Sequence, residues 1–454
     1  MSEKVTVRGV QGWLNKAPMA KRIAITTIGT RGDVQPYLAL AMALKTRGYS
    51  VVVGAPADFE EETESLGLEF CSLGSNIRSF LKQSNFEHAS ENFLVSMPAL
   101  LQQGQKIVEQ AARRSWTMAQ GADLIILNIN TSFAIDIAEA LDIPAIATAL
   151  QPLNTTGEFP ICTFDLPDLG RTLNWLTHAA TSVQQAYYDF PRDRLRRELM
   201  GLEPRKSGGF FKDNEGKNLV TLYAYSGIVS PRPRDWPKTA IVTGYWHLSD
   251  QTDWRPSPEF SKFLSEGDAP VYLGFGSMPF GASRNTHILR EAVQRWGGRV
   301  VVASGWGGFD SENLPKNVFA ISKAPHDKLF AHVKAVVHHG GAGTTAAGLY
   351  AGKPTFVVPQ AIDQPYWGRR VHELGCGPEP VALKKLTPDA LAGALHALST
   401  QQSYTHAAQD VSERLHSEDG PARAIRHIER VMNNYKTHSE REQGYDHTAS
   451  WANW

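Results

Sequence analysis

From residue 21 onward, short apolar runs rich in Val, Ile and Ala alternate with longer stretches whose apolar positions recur at helical spacing. The first cycle reads KRIAITTIG, then VQPYLALAMALKTRG, then SVVVGA. These runs lack strict apolar–polar alternation, so their strands are expected to be buried on both faces, as in a parallel sheet covered by helices. Further strands are expected at 122–129, 143–150, 218–225 and 240–244. Pro-dense text, SPRPRDWPKTA and SDQTDWRPSPEF, then interrupts the rhythm. It resumes with strands expected at 270–276, 298–304, 317–322, 335–339 and 354–359. The periodicity predicts an α/β chain of two Rossmann-like, doubly wound domains with a cleft between them.

The expected boundaries follow the same texture. Residues 1–20 read as a disordered N-terminal tail, 21–245 as the first domain, 246–258 as the connection and 259–418 as the second domain. A helix at 419–434 follows, with Ala422, Ile425, Ile428 and Val431 on one face, and then a polar tail at 435–454.

Composition narrows the function classes. The chain has 454 residues, more than one ordinary domain. Its 46 basic and 46 acidic residues cancel, which gives no global charge to attract nucleic acid or an anionic membrane. Membrane contact is expected to be peripheral at most. Cys71, Cys162 and Cys376 are odd in number and share no short spacing, so neither a disulfide framework nor a zinc site is expected, and a cytoplasmic location fits. No stretch approaches the roughly 18–20 apolar residues that span a bilayer. Glu3, Lys4, Arg8 and Lys16 interrupt anything resembling a signal peptide.

The segment AVVHHGGAGTTAAGLYAGKPTFVVP carries the strongest chemistry. It places a buried strand, a Gly-rich turn, a helix and another strand within about 25 residues. Gly340, Gly341 and Gly343 allow close backbone approach, and the helix start presents unpaired N–H groups and a positive dipole end, an environment suited to a diphosphate. Thr344 and Thr345 add hydroxyl donors, and His339 reaches from the strand end. The alternative is a plain Gly-rich connection with Thr as helix cap. After the next strand, PQAIDQPYWGRR sets a carboxylate, Asp363, beside an amide, Gln364, where open α/β sheets bind ligands. Together they offer the acceptors and donors that neighbouring sugar hydroxyls need. Helix N-capping is the alternative for this pair.

HHGGAGTTAAGLYAGKPTFVVP followed by DQPYWGRR resembles the donor-binding signature of the family 1 inverting nucleotide-sugar glycosyltransferases. These have the GT-B fold of two Rossmann-like domains, and the likeness is greatest to their steryl glucosyltransferase branch. GTRGDVQPYLALAMAL and VYLGFGSM resemble two further hallmarks, and the likeness runs from about 21 to about 432. The resemblance implies that His339 contacts the donor diphosphate, that Gly341, Gly343 and Thr344 line it, and that Gly276 and Ser277 lie beside it. It further implies that Asp363 and Gln364 bind the sugar, and that Ala324, Pro325 and His326 of KAPH hold the nucleoside. Ala347 departs from plant members, which carry a ribose-binding Glu there.

In GTRGDVQP, Gly32, Asp33 and Pro36 stand at the spacing of the Gly-His-x-x-Pro of many relatives. The resemblance makes Asp33 the catalytic base; the alternative is an N-cap in front of the helix. No metal or other cofactor is expected, because helix N–H groups and His339 meet the leaving UDP. His338 and His339 are adjacent, point to opposite faces in a strand, and have no acidic partner at ligand spacing. Arg31 reads either as a diphosphate contact or as a surface ion pair.

Residues 151–190 mix loops with aromatics, of which Phe159, Phe164, Trp175 and Tyr187 are candidates for an acceptor pocket, with ordinary core packing as the alternative. Glu158 and Asp165 are further candidates to orient an acceptor hydroxyl. The expected activity is transfer of a hexose, glucose first, from a UDP-sugar to a hydroxyl of a sterol or other hydrophobic molecule. Two alternatives stand beside it: a natural-product glycosyltransferase using a UDP- or TDP-sugar, and a non-catalytic glycosyltransferase-like helper. No nucleic-acid partner is expected.

Overall fold

The computed structural model describes residues 20–74, 93–181, 185, 192–206, 208–248, 253–276, 281–303, 309, 314–322 and 324–446. The first half builds a sheet from β1 (Arg22–Thr26), β2 (Ser50–Ala55), β3 (Glu69–Ser72), β4 (Leu124–Asn128), β5 (Ala145–Ala149), β6 (Thr221–Tyr223) and β7 (Ala240–Val242). Its order is β3-β2-β1-β4-β5-β6-β7, and every neighbouring pair is parallel. The second half builds β8 (Val271–Gly274), β9 (Val300–Ala303), β10 (Val318–Ile321), β11 (Ala335–His338) and β12 (Thr355–Val357), in the order β10-β9-β8-β11-β12 and again parallel.

Each expected strand run contains one of these strands, whereas β3 was not expected. Its sequence EFCS is short and only half-buried, so it leaves no apolar run to read.

The helices of the first half are α1 (Arg31–Thr46), α2 (Glu60–Ser65), α3 (Phe93–Met118), α4 (Ala134–Ala140), α5 (Arg171–Thr177) and α6 (Arg192–Leu195). The second half adds α7 (Pro258–Ser265), α8 (Ala282–Trp296), α9 (His326–Leu329), α10 (Ala342–Tyr350), α11 (Gln364–Glu373), α12 (Pro388–Thr400), α13 (Gln402–His416) and α14 (Gly420–Asp446). Parallel strands need such crossovers, and the helices cover both sheets.

Two features place the site. Strand order reverses between β1 and β4 in one sheet and between β8 and β11 in the other, which opens a crevice at the carboxyl ends of β1, β8 and β11. The helix α11 then joins the halves. Its Tyr366 and Trp367 share an apolar cluster with Tyr223, Tyr225 and Trp236 of the first half. The Tyr366 hydroxyl lies 2.6 Å from Ser230 Oγ, and Arg370 Nε donates to the Val229 carbonyl at 2.7 Å.

The last helix packs against α1, burying Ala424, Ile425, Ile428 and Met432 beside Leu40 and Leu44. Val431 is half-buried, so the buried face is turned slightly from the expected one. The helix continues to Asp446, past the expected end at 434, and Tyr435 donates a hydrogen bond to Asp142 Oδ1 at 2.8 Å. Trp246, expected in the connection, is a buried core residue set edge-on to Tyr37 at 5.7 Å. Residues 1–19 and 447–454 lie outside the described residues.

Candidate active site

The turn after β1 carries Asp33. Thr30 is the helix N-cap and Asp33 is the third residue of α1, so the alternative reading of Asp33 as the cap itself is corrected. Its carboxylate reaches back, and Oδ2 accepts from Thr30 N at 2.8 Å and from Thr30 Oγ1 at 3.1 Å. This is the reciprocal arrangement of a capping box. Thr27 Oγ1 donates to the Asp33 carbonyl at 2.7 Å, which fixes the turn from the strand side. Burial pushes the Asp33 carboxyl above its ordinary value, against the lowering effect of the two Thr30 bonds. No hydrogen bond from the described residues reaches Oδ1.

Across the crevice, β11 ends at His338 and the turn Gly340–Gly341 leads into α10. The helix starts at Ala342 with Gly341 as its N-cap, leaving the first amides without a side-chain partner. His339 is wedged between two glycines. A Cβ on Gly276 would lie 2.8 Å from His339 Cε1, and one on Gly341 would lie 2.6 Å from His339 Nε2. Burial lowers the His339 imidazole to about 4, so the ring is neutral at pH 7, and its Nδ1 is buried without a hydrogen-bond partner. Gly343 is exposed at the helix start and Thr344 is half-buried. Ser277 lies outside the described residues.

After β12 the chain reaches Asp363 and Gln364. The Asp363 side chain caps no backbone amide of α11; instead Oδ2 accepts from Trp367 Nε1 at 2.8 Å. Burial raises this carboxyl to about 6, opposed by the Trp367 bond and reinforced by the negative charge of Asp33. Gln364 Oε1 accepts from Gln360 N at 2.8 Å and Ala361 N at 3.2 Å. Both partners are backbone donors, so the amide orientation is fixed, and Nε2 has no partner among the described residues. Sequence reading missed Trp367 and Gln360. Trp367 was findable, because an indole four residues after a carboxylate shares its helix face.

The remaining candidates separate. The His326 ring stacks on Phe330 at 4.8 Å and 11°, with Ala324 and Pro325 half-buried beside it. Burial first, then Arg31 and His339, lower His326 to about 4, which brings Arg31 of α1 to this side of the crevice. Arg31 also lies 3.9 Å from Glu62. Ala347 packs against the cluster of Phe260, Tyr272 and Phe330.

Phe159 packs on Tyr366 at 5.3 Å and lines a groove with Pro160, Leu166, Glu158, Asp168, Arg369 and Glu373, a mixed apolar and charged wall. Phe164 and Trp175 are exposed, at 52% and 57%. Glu158 accepts from Arg234 N, and Asp165 pairs with Arg369, so both carboxylates have structural partners. Tyr187 lies outside the described residues. Among the described residues no group of three His, Cys, Asp or Glu side chains is arranged to hold a metal ion. No helix among them is long and apolar enough to cross a membrane.

Known proteins share this layout. The family model for the glycosyltransferase family 28 N-terminal domain matches residues 23–160, and that for the erythromycin biosynthesis protein CIII-like C-terminal domain matches 288–431. The chain is 32% identical over 425 residues to the sterol 3-beta-glucosyltransferase UGT80B1 of Arabidopsis thaliana, covering 89% of this chain and 67% of that protein. The sterol 3-beta-glucosyltransferase of Aspergillus fumigatus is 33% identical over 92% of this chain, which spans only 30% of the fungal protein. In fold, the chain is similar to the crystal structure of the glycosyltransferase of kitacinnamycin, with a TM-score of 0.67 at 20% identity, covering 91% and 100% of the two chains. It is likewise similar to the glycosyltransferase VinC in complex with dTDP, at 0.61 and 20%, with coverage of 91% and 100%. With two parallel sheets facing each other across the carboxylates and the Gly-rich turn, and with this likeness along nearly its whole length, the chain belongs to the GT-B glycosyltransferases, in the family of the sterol 3-beta-glucosyltransferases.

Proposed function

We propose that the protein moves a hexose, glucose first, from a UDP-sugar to a hydroxyl of a sterol or similar hydrophobic molecule, with inversion at the anomeric carbon. One observation carries this reading: α1, which carries Asp33, packs against α10, the helix of the Gly-rich turn, so that the charge of Asp33 in the first half reaches Asp363 in the second. The two carboxylates therefore border one crevice, although they come from different halves of the chain.

In this reading Asp33 is the base. Oδ2 is held by Thr30, which leaves Oδ1 for the acceptor hydroxyl. As the acceptor oxygen bonds to the anomeric carbon, its proton passes to Oδ1, and the bond from that carbon to the diphosphate breaks with the electron pair leaving on UDP. A carboxylate suits a proton that departs late in the displacement, and burial adds to its basicity. The departing charge meets the free amides and positive end of α10 together with neutral His339. Gly276, Ser277, Gly341, Gly343 and Thr344 line the diphosphate, Ala324, Pro325 and His326 the nucleoside, and Arg31 approaches from the facing helix. Asp363 accepts from sugar hydroxyls while Gln364 Nε2 donates to them.

A hydrophobic acceptor is supported by α5, whose polarity is inverted. Asn174 and His178 face inward, where Asn174 bonds Gly157, Asp168 and Leu169, and His178 bonds the Phe159 carbonyl. Leu173, Trp175 and Leu176 face outward, each more than half exposed, and Phe164 is exposed beside them. The polar face anchors the helix and the apolar face stays open, a pattern that marks a binding surface. The first half would then hold the acceptor and residues 259–418 the donor, with the stretch after Trp246 linking them and α14 tying the second half back to α1. The three free cysteines support a cytoplasmic location, with membrane contact at most peripheral.

The test is mass-spectrometric detection of products from a mixed sterol and polyketide library supplied with UDP-glucose. A hexosylated sterol is the expected product. A polyketide product alone would establish the natural-product reading, and no transfer from UDP-glucose, or from TDP-glucose supplied in its place, would leave a helper protein.

A further inference from the structure

His338, which the mechanism does not use, is wholly buried at the end of β11. The Gly340 backbone N–H donates to its Nδ1 at 2.9 Å. A backbone amide can only donate, so Nδ1 must be unprotonated and the ring proton must sit on Nε2. That Nε2 is buried with no hydrogen-bond partner. Desolvation, with His339 and His326 nearby, holds the ring well below the ordinary imidazole value, in keeping with a neutral side chain.

The amide held by this bond belongs to the tightest point of the turn. Gly340 has φ +90°, and a Cβ there would lie 2.6 Å from Val357 Cγ1 and 2.9 Å from the Gln364 carbonyl oxygen. The same turn sends His339 one way and the Gly341 N-cap of α10 the other. Val358 N donates to the His338 carbonyl at 2.8 Å, so the residue also ties the turn to the chain that leads to Asp363.

We infer that His338 is a positioning residue. Its Nδ1 fixes the Gly340 amide and so holds the phosphate-side turn against the Gln364 backbone, which keeps the diphosphate and sugar contacts in register. This inference rests on the proposed donor site. An apolar side chain of the same size would fill the space yet leave the Gly340 amide without an acceptor, and that amide would be free to rotate the turn.

Isosteres separate this role from simple packing. Asn carries Oδ1 two bonds from Cβ, as His carries Nδ1, whereas the oxygen of Gln is one bond farther out. In volume, Gln and Leu are closer to His than Asn is. Calorimetric titration of the full chain with UDP, with thermal unfolding of each variant, therefore has opposite outcomes for the two roles. His338→Asn is expected to stay within about threefold of the wild-type Kd, while His338→Gln and His338→Leu weaken by roughly tenfold or more. Hydrogen exchange of the peptide covering 338–345 should stay slow in His338→Asn and quicken in His338→Gln. If UDP affinity followed side-chain volume, with Asn the weakest, or if all variants bound like wild type, the positioning role would be overturned. A wild-type chain that does not bind UDP would overturn the donor site itself, and the inference with it.

Discussion

Gly29 and Asp33 approach so closely that a Cβ on the glycine would lie 2.3 Å from Asp33 Oδ2. Gly29 also has φ +149°, a conformation that side chains disfavour. Gly29→Ala should therefore push the carboxylate from its place beside Thr30 without touching the second half of the chain. The expected result is a fall in kcat of about tenfold or more, since sub-ångström displacement of a catalytic group carries such losses. Steady-state kinetics beside UDP titration would check it, and unchanged turnover would disconnect the turn from catalysis.

Asp33→Asn keeps the capping bonds to Thr30 but removes the proton acceptor. Turnover should drop by roughly two orders of magnitude or more, which starts at the low end of what a general base supplies, while UDP affinity stays within about twofold. Near-normal turnover would reduce Asp33 to helix capping.

Gly341 has an ordinary negative φ, so Gly341→Ala tests only the wedge around His339. UDP binding should weaken by about tenfold, as should His339→Ala, and the double variant should be no worse than either alone. Additive losses by titration would mean that the two positions act separately.

Asp363→Ala should weaken UDP-sugar far more than UDP, because in the proposed site only the sugar meets this carboxylate. Equal losses for the two ligands would contradict sugar contact.

The acid behaviour of Asp363 gives an independent check. Its folded value, raised to about 6, means that the ionised form opposes folding. That penalty is full above about pH 6 and vanishes below the unfolded value near 4. Asp363→Asn retains an acceptor for Trp367 and should raise Tm at pH 8 by on the order of 2 °C, with the gain shrinking as pH falls through 6. A gain that stayed constant from pH 8 to pH 4 would show that the carboxylate is not desolvated.

Much of this molecule was legible before any coordinate. Eleven of the twelve strands among the described residues lie within runs read from their β-branched apolar residues, because strands buried on both faces admit little else. The Gly-rich turn and the Asp363–Gln364 pair were legible for a related reason: close backbone approach and sugar-like hydrogen bonding restrict residue choice at adjacent positions. What a linear pattern cannot carry is the partner of each group. Asp33 becomes the third helical residue instead of the cap because Thr30 takes the earlier place. Asp363 leaves the backbone amides for the Trp367 indole. Phe159 turns to Tyr366, and α5 presents its leucines outward because Asn174 and His178 hold its polar side down. Repulsion between Asp33 and Asp363, some 330 positions apart, and the seat of His339 between Gly276 and Gly341 exist only once two sheets face each other. Local sequence thus determined the elements and the kinds of chemistry, since both depend on neighbours along the chain. Tertiary structure alone decided which charges are desolvated and which face one another, since those depend on neighbours in space.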